Sequence, residues 1–511
     1  MNPFLQEIIS DPDNDTPRLI YADWLDENQE APRADLIRTQ CALEKLDRYS
    51  LARMELEDHA LDLWQKHQND WQADLPEWAR VKEDWYMASC FRRGFLHRVH
   101  GSPEDFLQNA DELFAVAPVR EAYLGYIFDN GRGLADCPHL ARLHELSLTF
   151  SGSKPNLAEL LSSHHISELR SLIVKFYQEH PTGSFEEAAP VLQDEDAVSL
   201  AECAKLSNLR ALDLGCHLIG PEGISALAES RNLQRLECLN ITYNPLGGEG
   251  IRRLCCSQLL ERLTELQMYN TQTGDEGWRA LGAAKPNRLQ KLTIGDLDHV
   301  HGVAGVEAFA RCESLTALRE LDLDNWPVSP ERMRALAQSP SLGGIQILNL
   351  GGTGLADAAA RELAASPYLR SLRFLDLQRN RHGLGPAGVV ALARSPVLAT
   401  VTEMVFFDCF DLGDGGAIAL ADSEHLRQLR KLSLVTTGLG PKGTRRLAAS
   451  ANLRNLRELD LQSNPIGDEG AKALCESPHL GHIRRLGLYD CGIGKTMADE
   501  LRKRFGSALG I

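Results

Sequence analysis

The stretch LRNLRELDLQSNPIGDEGAKALCESPHL, residues 453–480, decides the fold of this chain. Its first half alternates apolar and polar residues around Leu459-Asp460-Leu461, which is the two-residue period of a strand. Asn464 follows, at a tight bend whose backbone groups need polar partners. A glycine-rich turn at 467–470 then leads into a helical pattern that ends near Ser477-Pro478. The stretch therefore predicts one strand and one helix joined by short turns.

The same unit recurs along most of the chain, and its central triplet (apolar, any residue, apolar) begins every 26 to 29 residues. The eleven clearest triplets begin at Leu212, Leu239, Leu266, Leu292, Leu321, Leu348, Leu375, Met404, Leu432, Leu459 and Leu486. Two earlier triplets begin at Leu146 and Leu172, and fainter units lie near 95–99 and 119–124. A fixed period of this length indicates a repeat array in which neighbouring units bury each other's apolar faces.

A strand plus a helix about every 27 residues resembles the ribonuclease-inhibitor-like class of leucine-rich repeat, from about residue 140 to 494. The resemblance implies the fold class α/β, a leucine-rich-repeat solenoid. In that solenoid parallel strands line the inner face and helices crowd the outer face. Because helices are wider than strands, the expected shape is a curved horseshoe.

Residues 1–48 do not repeat. The strings DTPRLIYADWLDE, from residue 15, and RADLIRTQCALEKL, from residue 33, resemble the bacterial repeat-companion domain, a helical module found in front of repeat arrays. That family has no established chemistry, so the resemblance implies association with repeats and not an activity. We expect this module to be helical, with Asp15-Thr16-Pro17 as the N-cap and first turn of a short helix and Pro32 at the start of a second one.

Residues 49–90 contain Trp64, Trp71, Trp78 and Trp85 at a spacing of seven. Pro76 interrupts any single helix through them, so a long coiled coil is not expected. We interpret the segment as a helical linker that caps the open end of the first repeat. An aromatic patch that binds a partner is the alternative.

The third region, 91–511, is predicted to be the solenoid, with a C-terminal cap at about 495–511. The spacing between Leu172 and Leu212 is 13 residues too long, and the segment 178–202 carries seven acidic residues without lysine or arginine. We interpret 178–202 as a solvated insertion outside the stack, which we expect to be removable with little loss of stability. An acidic docking loop is the alternative.

Composition narrows the classes of function. The formal net charge of −17 opposes binding to phosphate backbones, and no local basic patch stands out in the sequence, so nucleic acid is not expected as a partner. No apolar run approaches the roughly 20 residues that span a bilayer, and the N-terminus lacks the basic region of a signal peptide. Scattered cysteines without a CxxC pair favour a reducing, cytoplasmic location.

The strings that resemble motifs for catalysis, cofactors or metals either belong to the repeat or lack a required residue. The strings GLGPAG at 383–388 and GLGPKG at 438–443 fit a dinucleotide loop, but both occupy the strand-to-helix turn that every repeat possesses. GIGKT at 492–496 lacks the first glycine of a phosphate-binding loop, and the histidine pairs at 164–165 and 299–301 lack further metal ligands. We therefore predict a protein that is not an enzyme and holds no cofactor or metal.

Alternate strand residues should face the concave surface, since successive side chains point to opposite sides. The predicted partner-binding residues are Asp213, Glu265, Tyr269, Glu320, Asp322, Asp324, Trp326, Phe374, Asp376, Gln378, Glu403, Phe407, Glu458, Asp460, Arg485 and Tyr489. Aromatic side chains among carboxylates are typical of an interface, and they favour a partner protein with a basic surface. A merely soluble inner face is the alternative.

The leading interpretation is an intracellular scaffold or sensor that binds a partner protein. Two other functions stay open. The first is regulation of a GTPase or another enzyme by direct binding, which some ribonuclease-inhibitor-like repeat proteins perform. The second is an enzyme with its site in the insertion or in the N-terminal module.

Overall fold

The computed structural model describes residues 3–48, 50–81, 90–127, 133–151, 157–176, 192–297, 302–381 and 383–510. The chain forms two compact units, one made of 1–219 with 229–240 and the other of 220–228 with 241–511. Among the described residues, no helix has the length and apolar character needed to cross a membrane.

The first unit begins with helices and an antiparallel hairpin and continues as repeats. Its helices are α1 (Pro3–Ser10), α2 (Asp15–Glu27), α3 (Ala31–Leu43), α4 (Leu51–Trp71), α5 (Pro103–Val116), α6 (Leu157–Ser162) and α7 (Asp194–Glu202). Its strands are β1 (Phe91–Arg92), β2 (Phe95–Leu96), β3 (Arg98–Gly101), β4 (Glu121–Ile127), β5 (Glu145–Phe150), β6 (Ser171–Phe176), β7 (Ala211–Asp213) and β8 (Cys238–Asn240). Strands β1 and β2 pair antiparallel, whereas β3 to β8 pair parallel in chain order.

The second unit is built from strand–helix repeats throughout. Its helices are α8 (Pro221–Glu229), α9 (Gly247–Cys255), α10 (Gln258–Arg262), α11 (Gly274–Ala283), α12 (Val303–Ala310), α13 (Pro330–Ala337), α14 (Asp357–Ala364), α15 (Pro386–Ala393), α16 (Gly413–Asp422), α17 (Pro441–Ala448), α18 (Gly467–Glu476) and α19 (Lys495–Phe505). Its strands are β9 (Glu265–Tyr269), β10 (Lys291–Gly295), β11 (Glu320–Asp322), β12 (Ile347–Asn349), β13 (Phe374–Asp376), β14 (Glu403–Val405), β15 (Lys431–Ser433), β16 (Glu458–Asp460), β17 (Arg485–Gly487) and β18 (Leu509–Gly510). All of these strands pair parallel in chain order.

The apolar residues of the repeat stack in register. Leu321 pairs with Leu348 and Leu348 with Leu375, and all three are almost completely buried. Each of the eleven strands that contain the clearest triplets begins one residue before its triplet. The predicted α/β leucine-rich-repeat solenoid is therefore confirmed, and its core lies between the strands and the helices of successive repeats.

A buried polar side chain holds the bend after many of the strands. Asn464 donates from Nδ2 to the carbonyls of Leu434 and Leu461, at 2.6 and 2.9 Å. Its Oδ1 accepts from the backbone of Thr437 and Leu439, at 3.0 and 2.9 Å. One side chain thus satisfies backbone groups of two repeats, which is the requirement that the sequence predicted for this position.

A row of serines, which the sequence analysis missed, links the ends of eight helices or turns to the previous repeat. Ser366 Oγ donates to the carbonyl of Ala337 at 2.6 Å, and Ser423 Oγ donates to that of Ala393 at 2.5 Å. Equivalent bonds are made by Ser163, Ser230, Ser339, Ser395, Ser450 and Ser477. The serine of the recurrent Ser-Pro pair was read only as a helix stop, although it also satisfies an open helix carbonyl.

The insertion is shorter than we predicted. Its last residues form α7, in which Ala197 and Leu200 are fully buried, and Leu192 accepts a backbone hydrogen bond from Leu218 at 2.9 Å. The prediction that 178–202 lies outside the stack is therefore wrong for 192–202, because burial of Leu192, Ala197 and Leu200 favours packing of this part. The three acidic residues that open α7 favour its helix N-terminus. The part at 178–191 lies outside the described residues.

The N-terminal module packs on the hairpin β1–β2. Ile37 in α3 and Phe95 in β2 share one apolar core, and Gln40 bonds with both the Phe91 carbonyl and the Gly94 amide. Arg33 donates to the Gly94 carbonyl at 2.8 Å, and burial lowers the pKa of its guanidinium to about 10. The sequence analysis missed this hairpin, for which Gly94 between apolar residues is the one turn signal.

The tryptophan segment lies beside the same hairpin. Trp64 is buried with its ring centroid 4.2 Å from that of Phe91, and a Cβ added at Gly101 in β3 would meet the Trp78 ring at 3.2 Å. Helix α4 ends at Trp71, before Pro76, and Trp85 lies outside the described residues. The capping role of 49–90 stays a prediction.

Candidate protein-binding face

The candidate site is the outward side of strands β9 to β17, at the first, third and fifth positions counted from the start of each strand. We call this surface the strand face. The predicted residues on it are Glu265, Glu320, Phe374, Glu403, Glu458 and Arg485 in the first position, Asp322, Asp376 and Asp460 in the third, and Tyr269, Asp324, Gln378, Phe407 and Tyr489 in the fifth. Asp213 has the equivalent third position in β7, and it belongs to the first unit.

The aromatic residues of the strand face differ greatly in exposure. Tyr489 is 66% exposed and Phe407 39% exposed, so both offer apolar area to a partner. Phe374 is half-buried, whereas Tyr269 is only 8% exposed. Phe407 and Tyr489 are therefore the candidate anchors, and Tyr269 contributes mainly to packing.

Trp326 was wrongly predicted to contact a partner. Its side chain is 0% exposed and packs against Trp278, with ring centroids 5.0 Å apart. Trp326 lies three residues after Leu323, which is the position that Asn464 has in its own repeat. A side chain at that position points into the core below the bend. The repeat register of the sequence therefore already indicated that Trp326 is buried.

The third-position aspartates bind their own strand ends. Asp322 accepts a hydrogen bond from the backbone N–H of Asp324 at 3.0 Å, and Asp376 accepts one from that of Gln378 at 2.9 Å. Burial raises the pKa of the Asp322 carboxyl, and it raises the pKa of Asp376 to about 6. Asp460 makes the same contact with Gln462 at 3.2 Å. These carboxylates stabilise local turns as well as charging the surface.

An arginine that the sequence analysis missed divides the acidic face. Arg379 reaches across the intervening repeat and donates to both carboxylate oxygens of Asp324, at 2.6 and 2.8 Å. The intervening repeat has Gly351 and Gly352 at this place. A Cβ added at Gly351 would lie 2.5 Å from Asp324 Oδ1, and one added at Gly352 would lie 2.2 Å from Asn325 Oδ1. Only glycine leaves room for these two side chains. The φ of +63° at Gly352 also favours glycine there.

Other cations neutralise part of the predicted acidic stripe. Lys291 pairs with Glu320 at 2.6 Å, and Arg485 and Lys431 pair with Glu458 at 2.5 and 3.3 Å. Both lysines occupy the first position of their strands, as the glutamates do, and the sequence analysis did not include them. The strand face is therefore mixed in charge.

An apolar zone lies beside Asp322 and Asp376. Phe374 pairs with Ile347 on one side and with Glu403 on the other, and Asp376 pairs with Val405. Phe410 is 41% exposed in the same repeat as Phe407, and the Arg381 guanidinium lies 5.9 Å from its ring centroid. Ile347 and Phe410 were missed, and Phe410 falls in the bend after the strand, where only the structure shows its exposure.

A comparison with protein-family models agrees with the repeat architecture. A family model described as Leucine Rich repeat matches residues 205–228, 232–255 and 452–475. No curated protein matches the chain in sequence. Among solved structures, the chain is similar to the Rad7–Elc1 complex in yeast, with 16% identity, a TM-score of 0.46 and coverage of 88% of this chain and 95% of that chain.

It is also similar to an internalin from Listeria monocytogenes, with 18% identity, a TM-score of 0.39 and coverage of 68% of this chain and 82% of that chain. The repeats in the sequence, their in-register strands and the family match agree with one another. The chain therefore folds as a leucine-rich-repeat solenoid.

Proposed function

We propose that this protein is a non-enzymatic binding scaffold that holds a partner protein on the strand face of its second unit. The observation that carries the proposal is the exposure of Phe407 and Tyr489, at 39% and 66%, on a rigid framework of stacked strands. Exposed aromatic rings on such a framework are favourable anchors because little side-chain entropy is lost on binding. Repeat solenoids commonly use this surface for binding.

The partner we propose presents a basic surface. Asp322 and Asp376 place negative charge beside the apolar zone, and complementary charge increases the rate of association more than it increases the final affinity. Replacing both aspartates with asparagine should therefore slow association, with a smaller effect at high ionic strength. Replacing Phe407 or Tyr489 with alanine should instead speed dissociation.

We also propose the finer family assignments. The repeat length and the one main helix per repeat support the ribonuclease-inhibitor-like class. Helices α1 to α3 and the string DTPRLIYADWLDE support a repeat-companion domain at 1–48.

Site-specific photo-crosslinking in the native host tests the binding face. A benzophenone amino acid would replace Phe407 or Tyr489 in separate variants, and would replace Arg394 in a control. Arg394 is exposed at the end of α15, on the helical side of the repeat. We expect Phe407 and Tyr489 to capture the same protein and Arg394 not to capture it. Equal capture at all three positions would contradict the proposal, and the identity of the captured protein would show whether it is a GTPase or another enzyme.

A further inference from the structure

The residue directly before each strand forms a second row along the second unit. Backbone hydrogen bonds of 2.7 to 2.8 Å join each of these residues to its counterpart in the previous repeat, from Arg319 to Arg484. In order, the row contains Arg319, Gln346, Arg373, Thr402, Arg430, Arg457 and Arg484. Neighbouring strands lie about 4.8 Å apart, so the last three arginines place three positive charges within roughly 10 Å. The row has no carboxylate.

Two more arginines strengthen the charge in the last three repeats. Arg427 and Arg454 lie three residues before Arg430 and Arg457, in the short turns that precede β15 and β16. The two turns are in contact, since Asn455 Nδ2 donates to the Arg427 carbonyl at 2.7 Å. We call the set Arg427, Arg430, Arg454, Arg457 and Arg484 the basic row.

Most of the basic row is open to a ligand. Arg427, Arg454, Arg457 and Arg484 are exposed, and within the described part of the chain these four side chains form no ion pair. The nearby carboxylate of Glu458 is already paired with Lys431 and Arg485. These four arginines therefore keep their positive charge in a chain whose formal net charge is −17.

The first unit shows what the same repeat position can hold. There the residues before β4, β5 and β6 are Arg120, His144 and Arg170, joined by backbone hydrogen bonds of 2.7 Å. An acidic loop of the N-terminal module lies against them, with Asp13 Oδ2 at 3.6 Å from Arg170 and 3.9 Å from His144. In the first unit, the arginine before β6 thus lies beside a carboxylate of the polypeptide, whereas burial lowers the pKa of His144 to about 4, so that its ring is neutral near pH 7.

We propose that the basic row binds an acidic segment of a polypeptide, as a surface separate from the strand face. The contact made by Asp13 supplies the chemical precedent within this chain. The negative net charge favours a short acidic segment over a nucleic acid, because a long polyanion is repelled by the rest of the molecule while it approaches a local patch. The inference does not depend on the proposed function, since it uses different residues and a ligand of opposite charge.

Fluorescence anisotropy with labelled octa-glutamate, and with labelled oligothymidylate of similar charge, tests the proposal. The test variant is Arg457→Gln/Arg484→Gln. The matched control, Arg361→Gln/Arg394→Gln, removes two exposed arginines from the helical side and changes the net charge equally. At low ionic strength we expect the test variant to bind octa-glutamate roughly 5- to 30-fold more weakly, and the control to stay within about twofold. Phe407→Ala should leave this binding unchanged.

Three results would overturn the inference. The wild-type protein could fail to bind octa-glutamate, or both double variants could weaken binding equally. Tighter binding of oligothymidylate, lost in Arg457→Gln/Arg484→Gln, would assign the basic row to nucleic acid instead. Circular dichroism of each variant shows that the fold is retained, which is expected because the four replaced side chains are exposed.

Discussion

Asp376 and Asn349 occupy the same strand position in neighbouring repeats and make the same hydrogen bond. Asn349 Oδ1 accepts from Gly351 N at 2.9 Å, as Asp376 Oδ1 accepts from Gln378 N at 2.9 Å. Only Asp376 carries a charge, and it is 7% exposed. A buried carboxylate costs free energy that an amide of the same shape avoids. The structure thus keeps a destabilising group on the strand face.

The first prediction is that Asp376→Asn stabilises the protein at neutral pH but not in mild acid. Burial raises the pKa of this carboxyl to about 6 in the folded protein, above its value in the unfolded chain. Protonation therefore stabilises the folded state, and that stability is lost as the pH rises through about 6. We expect roughly 1–3 kcal/mol of stabilisation above neutrality and little near pH 4. Urea unfolding at both pH values measures the difference.

The control is Asp460→Asn, at the same strand position but half-buried. It should change the free energy of unfolding by less than about 0.5 kcal/mol at either pH. If Asp376→Asn has the same effect at both pH values, then burial of the charged carboxylate is not what destabilises the folded protein.

At the scale of elements, the hairpin β1–β2 joins the N-terminal module to the repeats. Its turn consists of Arg93 and Gly94, with φ values of +52° and +85°. A Cβ added at Gly94 would lie 2.2 Å from Ile37 Cγ1 in α3. The close approach lets Gln40 and Arg33 bond with the turn, so one glycine decides how the hairpin and α3 fit together.

The second prediction is that Gly94→Ala loosens the module without unfolding the repeats. The positive φ and the clash with Ile37 should together cost at least about 2 kcal/mol. Hydrogen exchange should become faster in α2 and α3 and stay unchanged in α14 to α18. Gly481→Ala is the matched control, because a Cβ there meets nothing within 4 Å. Unchanged exchange in α2 and α3 would show that the hairpin does not support the module.

At the scale of the whole molecule, each repeat is stabilised by its neighbours, so the effect of a substitution depends on its place in the array. Leu501 in α19 and Leu363 in α14 are both fully buried leucines. Leu363 has repeats on both sides. Helix α19 is followed within the described residues only by a short turn and β18, which pairs with β17. Within the described residues α19 therefore has a full repeat on one side only, and this repeat should open locally.

The third prediction compares Leu501→Ala with Leu363→Ala. Each should cost about 2 kcal/mol or more through the cavity that it leaves. For Leu501→Ala the loss of hydrogen-exchange protection should stay within about 467–510, at roughly 30-fold or more. For Leu363→Ala it should spread over the neighbouring repeats on both sides. An equal spread from both substitutions would mean that the second unit unfolds as one cooperative block.

The sequence by itself determined the repeat and the place of its strands. Strands β7 to β17 begin one residue before the predicted triplets, because a period-2 apolar pattern with a fixed spacing can bury its leucines only in stacked parallel strands. The bend residue followed as well, since Asn464 satisfies buried backbone groups as its position requires. These features are local or strictly periodic, so the pattern of one repeat predicts that of the next.

Only the tertiary structure decided which strand-face residues are accessible and which charges stand together. Trp326 turned out to be core and Glu458 to be ion-paired, because exposure depends on neighbours from other repeats. The basic row escaped the sequence analysis for the same reason, since Arg430, Arg457 and Arg484 are 27 residues apart in the chain. Stacking of parallel strands brings them to a spacing of about 4.8 Å, so a net acidic sequence acquires a basic surface through folding.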